Sequence, residues 1–248
     1  MRYVFPLFLL LLLVACQSES TTREVTTDEK QTLETEVRPT NRFDSEIEAF
    51  EARDAAEGMP APGGVVLVGS SSIRLWNTAE ADLAPLPVVR RGFGGARLDD
   101  VLHFTDRIVL PYQPSMILFF AGTNDLAGNE DDLTPDAMLA KFQTFVERIH
   151  AQLPDTDIFH ISITPSKARE AQLPQVKAAN DLIEAYSATN PRLHFFDLEG
   201  EFLNADGTVN GEYFVEDGLH LNRKGYRIWK DAMQPTLMRT YMKKPKVQ

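Results

Sequence analysis

Four aliphatic residues in succession, Val65, Val66, Leu67 and Val68, end abruptly at Gly69-Ser70-Ser71-Ser72. An unbroken apolar run of strand length fits a strand covered on both faces, the situation of a central strand in a parallel sheet. This stretch constrains the chain more than composition does, because parallel strands need long crossover connections, usually helices packed on the sheet. In open sheets of this kind ligands gather beyond the carboxyl ends of the strands. The serines therefore stand where a hydroxyl can meet substrate while the sheet holds its backbone. Gly-Ser-Ser is also ordinary turn chemistry, and from these residues alone any of the three serines is a candidate nucleophile.

The rest of the chain supplies the alternation that a parallel sheet demands. Residues 87–90, 115–120, 157–163 and 192–196 have the length and apolar content of strands. Helical spacing appears between and around them. Phe43, Ile47 and Phe50 share one face of residues 41–57, and Leu98, Val101 and Leu102 mark a helix after the second strand. Met138, Phe142, Phe145, Val146 and Ile149 form a stripe along residues 135–152, and further helices are expected at 173–189 and 223–238. The expected fold is α/β, a three-layer α/β/α sandwich around a mostly parallel sheet of about five strands, in one domain over residues 41–248.

Residues 1–15 are set apart from that domain. Arg2 precedes an apolar run from Val4 to Val14 that is too short to span a bilayer, the pattern of an export signal. Leu13-Val14-Ala15-Cys16 resembles the lipobox of bacterial lipoproteins, which implies cleavage before Cys16 and lipidation of that residue. Cys16 is the single cysteine of the chain, so no internal disulfide is available and the core must hold by packing. Residues 16–40 are rich in Ser, Thr, Glu and Gln and have no aromatic residue. They read as a flexible acidic tether spanning roughly 25 to 30 Å. The expected location is the cell envelope, anchored through Cys16. Gln17, where an aspartate would resemble an inner-membrane retention signal, favours the outer membrane if the host has one.

Without Arg2 the 25 basic residues become 24 against 36 acidic ones, a formal charge of −12. That excludes nucleic acid as an expected partner, since phosphate binding needs a basic face. Anionic lipid would be repelled as well, which leaves the lipid anchor as the route to a membrane.

Three further segments fall at element ends. Arg90-Arg91-Gly92-Phe93-Gly94-Gly95-Ala96-Arg97 leads from a strand into a helix and offers backbone N–H groups to an anion. It has neither the spacing of a dinucleotide fingerprint nor the Lys-Ser/Thr of a phosphate-binding loop. In Gly122-Thr123-Asn124-Asp125 the Asn124 amide can face a developing oxyanion or close an Asx-turn. In Asp217-Gly218-Leu219-His220 an aspartate three residues before a histidine can reach Nδ1 and leave Nε2 free to take a proton from a serine. His103, His150, His160 and His194 lie within or beside helical and strand patterns and read as structural or surface residues. No further cluster has metal-ligand spacing, so no metal and no cofactor is expected.

Gly69-Ser70-Ser71, Gly95, Gly122-Thr123-Asn124-Asp125 and Asp217-x-x-His220, in this order, resemble the four blocks of the SGNH, or GDSL-type, esterase and lipase family. The resemblance spans about residues 64–229 and implies a flavodoxin-like three-layer fold. It implies Ser71 as nucleophile, His220 as base and Asp217 as its acid partner, with the N–H groups of Ser71 and Gly95 and the Asn124 amide as the oxyanion hole. Ser70 stands where the family has aspartate, and Arg90-Arg91 where many members carry asparagine. The Ser-Ser-Ile-Arg-Leu-Trp version of the first block resembles members near platelet-activating-factor acetylhydrolase-like and carbohydrate-esterase-like enzymes.

The implied activity is hydrolysis of short-acyl esters of carbohydrates or small lipids through an acyl-enzyme. An acyltransferase or deacetylase acting on envelope glycans and a non-catalytic binding lipoprotein are the alternatives. Trp76, Phe93, Leu126, Pro165 and Leu219 are candidates either for an acyl pocket or for the core. Oligomeric state is not legible.

Overall fold

The computed structural model describes residues 41–244. The expected signal at 1–15, Cys16 and the tether at 16–40 lie outside the described residues. Within them the strands are β1 (Val65–Gly69), β2 (Val88–Gly92), β3 (Met116–Phe120), β4 (Asp157–Ile161) and β5 (Leu193–Phe196). They form one sheet in the order β2-β1-β3-β4-β5, and every pairing is parallel. The helices are α1 (Asp44–Glu57), α2 (Ser71–Leu75), α3 (Ala79–Asp82), α4 (Leu98–Ile108), α5 (Pro135–Gln152), α6 (Leu173–Ser187) and α7 (Arg223–Lys243). No helix among the described residues is long and apolar enough to cross a membrane.

The two-residue period of β1 separates two cores. Val66 and Val68 join Ile117 and Phe119 under α1, α4, α5 and α6, where Ile47, Phe104, Phe142, Ile149 and Ile183 are buried. Val65 and Leu67 join Met116, Leu118 and Phe120 on the opposite face, under Trp76, Trp229, Met233 and Leu237. Both faces of the central strands are therefore covered, which accounts for the unbroken aliphatic run. Met138, Phe142, Phe145, Val146 and Ile149 of α5 all face the first core.

Two elements depart from the expectations. The serines after β1 do not form a loop but open helix α2, because the Ser70 carbonyl accepts from the N–H groups of Ile73 and Arg74. Helix α7 runs past residue 238 to Lys243 despite Pro235 inside it. Met233 and Leu237 are fully buried on either side of the proline, and this packing holds the helix on the sheet.

One glycine is required by contact. Gly69 has φ +146°, and a Cβ there would stand 1.8 Å from the Phe120 carbonyl oxygen. Only glycine lets β1 and β3 approach this closely where the chain turns into α2.

Candidate active site

Ser71 is the first residue of α2, directly past the carboxyl end of β1. At that position a backbone N–H has no intrahelical acceptor. Ser70 is buried and its N–H donates to the Phe120 carbonyl at 3.0 Å, which ties the turn to β3. Tyr226 of α7 donates from its hydroxyl to the Ser72 carbonyl at 2.8 Å. Of the three serines, Ser71 is the one whose Oγ meets an imidazole: His220 Nε2 lies 3.0 Å from it.

The loop that carries His220 is bound locally. Asp217 Oδ1 accepts from the backbone N–H of Leu219 at 2.8 Å and of His220 at 2.9 Å, while Oδ2 lies 2.7 Å from His220 Nδ1. Gly218, at φ +64°, permits this tight turn. Asn222 closes the segment by accepting from the N–H groups of Lys224 and Gly225 at the start of α7, and its amide donates to the carbonyls of Glu212 and Phe214. Burial opposes ionisation of Asp217, but the hydrogen bonds from His220 and Leu219 outweigh it and hold the carboxyl at about 2. An ionised Asp217 keeps the imidazole proton on Nδ1, so Nε2 faces Ser71 as an acceptor.

Asn124 follows β3. Its amide Nδ2 donates to the Ala96 carbonyl at 2.9 Å, so the side chain bridges to the glycine-rich turn rather than closing an Asx-turn. Asp125 is buried, and its carboxylate accepts from the Leu98 N–H at 3.1 and 3.2 Å, capping α4. Burial pushes Asp125 up to about 6 against the opposing pull of that hydrogen bond. Gly95 has φ +77°, and its backbone lies on the same turn.

Ser71, Asn124 and His220 line one narrow slot of about 10 Å³, together with Thr123, Thr164, Phe120, Leu219 and Leu221. Gly95 lies outside that slot, on the wall of an adjoining cavity that it shares with Asn124. Trp76, Phe93 and Leu126 are buried in the core rather than around the slot. Trp76 donates from its indole to Asp82 at 2.8 Å, and Leu219 alone of the five apolar candidates lines the slot.

Arg90 and Arg91 have partners of their own. Arg90 pairs with Glu80 at 2.8 Å, and Arg91, buried, pairs with Asp54 at 2.5 Å. The other histidines stand apart from Ser71. His194 lies 3.0 Å from Asp157, and His150 Nε2 lies 3.0 Å from the Thr156 carbonyl. His160 is fully buried among Phe119, Phe142 and Phe195, and burial lowers it to about 3. Among the described residues no group of three His, Cys, Asp or Glu side chains is arranged to hold a metal ion.

The structure adds residues that sequence reasoning missed. The Thr123 and Thr164 hydroxyls are buried at the slot without a hydrogen-bond partner among the described residues. Arg169, after β4, donates to the Thr123 carbonyl and to Asn124 Oδ1. The only signal for Thr164 and Arg169 was their place past the carboxyl end of a strand.

Known proteins resemble this chain over most of its described residues. Residues 61–228 match the model of the GDSL-like Lipase/Acylhydrolase family. Platelet-activating factor acetylhydrolase IB subunit alpha1 of Bos taurus is 26% identical over 180 residues, covering 71% of this chain and 75% of that protein. A GDSL-like lipase from Bacteroides thetaiotaomicron superposes with a TM-score of 0.67 at 21% identity, covering 78% of this chain and 97% of its own. A carbohydrate esterase family 3 structure from Talaromyces cellulolyticus gives 0.59 at 18% identity, with 74% of this chain and 100% of its own covered. At these identities the structural likeness concerns the fold.

Proposed function

Because the chain belongs to the GDSL-like Lipase/Acylhydrolase family and is an ester-hydrolysing enzyme of that type, we propose that it removes short acyl groups through an acyl-enzyme formed on Ser71. The observation that carries this reading is the continuous chain of hydrogen bonds from Asp217 through His220 to Ser71, with spacings of 2.7 and 3.0 Å. His220 takes the Ser71 proton as Oγ attacks the ester carbonyl, then gives it to the departing alcohol. Water repeats the sequence and releases the acid. Asp217 stays ionised and orients the imidazole.

The N–H groups of Ser71 and Gly95 and the second amide N–H of Asn124 receive the oxyanion, donors of a kind worth about 2.7 to 4 kcal/mol of barrier each. The first Asn124 N–H is committed to Ala96, which leaves the amide little freedom to turn away. Around Ser71 the lining by Phe120, Leu219 and Leu221 forms a narrow slot rather than a deep apolar pocket, which speaks for short acyl groups over long chains. Esters of carbohydrates or small lipids are the proposed substrates. The name of the bovine relative, an acetylhydrolase, speaks for an acetyl group, and that of the carbohydrate esterase for a carbohydrate ester.

A panel of acetyl-sugar, lysophospholipid and aryl esters, together with a fluorophosphonate probe, tests this reading. Wild-type protein should label and turn over para-nitrophenyl acetate, and Ser71→Ala should do neither while remaining folded. Full activity in Ser71→Ala would remove the assignment of the nucleophile. We also propose that Cys16 carries a lipid anchor at the cell envelope. The mass of the mature protein tests this, and an unlipidated product lacking Cys16 would refute it.

A further inference from the structure

Two arginines grip Asn124, and they differ in how their charge is met. Arg97 donates from Nε to the Asn124 carbonyl at 3.1 Å, and its fork is closed by Asp131, at 2.5 and 3.1 Å. Arg169 donates to the Thr123 carbonyl and, at 3.3 Å, to Asn124 Oδ1. No carboxylate among the described residues lies within ion-pair distance of it. Asp132 and Asp125 act on the Arg169 guanidinium only through space, and burial outweighs them and lowers its pKa. A guanidinium has five donors, and the two bonds to Thr123 and Asn124 leave others unused.

Arg169 also borders a cavity. Arg169 lines an open, polar depression of about 520 Å³ together with Arg42, Gly95, Arg97, Asn124 and Asp131. Asn124 belongs both to this depression and to the slot that holds Ser71. Arg42 is paired with Asp100 at 2.9 Å, and Arg97 has Asp132 at 3.8 Å besides Asp131, so Arg169 is the one guanidinium of this wall with no carboxylate at ion-pair distance among the described residues. A planar fork with free N–H groups matches a carboxylate in two-point geometry, a strong form of charge-assisted hydrogen bond. Asp131 on Arg97 shows that arrangement within the same wall.

We propose that Arg169 determines specificity by receiving a carboxylate borne by the ester substrate, in the depression beside Asn124. The inference rests on the esterase reading, since the depression matters only if an ester is bound at Ser71. The carboxylate can belong to the acyl or to the alcohol portion. A pair of substrates distinguishes each source: para-acetoxybenzoate against para-acetoxybenzamide for the alcohol side, and the para-nitrophenyl half-ester of glutarate against para-nitrophenyl pentanoate for the acyl side.

The readout is the ratio of kcat/KM for the anionic ester to that for its neutral counterpart, with Ser71→Ala rates subtracted. A charged hydrogen bond of ordinary strength predicts a ratio of about 10 to 100 on one side. Arg169→Gln should bring that ratio to about one, mainly through KM of the anionic ester, and Arg169→Lys should restore part of it. Raising ionic strength from about 20 mM to about 500 mM should lower the wild-type ratio, a test that needs no variant.

A wild-type ratio near one on both sides would overturn the proposal. So would an equal loss for charged and neutral esters in Arg169→Gln, which would make Arg169 a positioning residue for Asn124 alone. Absence of Ser71-dependent turnover of any ester would instead refute the esterase reading itself.

Discussion

Two three-membered clusters in this protein have matching parts, a carboxylate, a nitrogen-bearing side chain and a hydroxyl, and opposite designs. At the carboxyl edge of the sheet Asp217 holds His220 and His220 faces Ser71, with the aspartate and histidine side chains 47% and 26% exposed. Beneath α1, Asp54, Arg91 and Tyr112 close on one another: Arg91 donates to Asp54 and, at 2.7 Å, to the Tyr112 hydroxyl, which itself donates to Asp54. There the Arg91 and Asp54 side chains are 4% and 9% exposed. Burial pushes Tyr112 up to about 12, with Asp54 adding to the effect. The arginine cannot give up its proton, so unlike an imidazole it cannot take one from the hydroxyl beside it. A histidine in the middle makes a path for a proton. An arginine in the middle makes a clasp.

That contrast predicts different failures, and the largest belongs to the open cluster. Ser71→Ala should lower kcat by about four to six orders of magnitude with an unchanged melting curve, whereas Tyr112→Phe should leave kcat alone. The clasp responds in stability. Asp54→Ala strands a buried guanidinium and should cost about 3 to 5 kcal/mol in urea unfolding, with normal kcat in the folded fraction; a change below about 1 kcal/mol would show that the cluster is not closed.

Asn124→Ala belongs to the open side. It should cost about 10² to 10³ in kcat through one lost oxyanion donor, and a loss confined to KM would count against that role. The smallest effect concerns pH. Asp125 is raised to about 6 from an ordinary 3.8, so the folded state holds its proton more tightly than the unfolded one. Stability from this group is present below the ordinary value and is lost as pH rises from there through about 6. Asp125→Asn should flatten that dependence by about 1 to 3 kcal/mol in pH-resolved unfolding, and an unchanged curve would place the titration elsewhere.

Sequence pattern disclosed most of the framework. Residues 135–152 appeared as a helix with its ends in place, because a continuous stripe from Met138 to Ile149 acts over short range. The strands appeared because they are buried on both faces. The Asp217-His220 pair was visible because both partners lie in one turn. Arg169 was not, since it meets Asn124 across 45 positions, and only the convergence of the loops after β3 and β4 brings them together. Asn124 illustrates the same limit: its Asx-turn and its bond to Ala96 are equally open to a short polar side chain until the neighbouring turn is in place.

The bond between Ser71 and His220 joins residues 149 positions apart. A ribosome that has delivered β1 through β4 has made a nearly complete sheet but no site, because the imidazole arrives only with the segment that precedes α7. During synthesis the chain therefore carries its serine unarmed. The site is complete only with α7 in place, where the Tyr226 hydroxyl donates to the Ser72 carbonyl and ties the segment behind His220 to the serine turn.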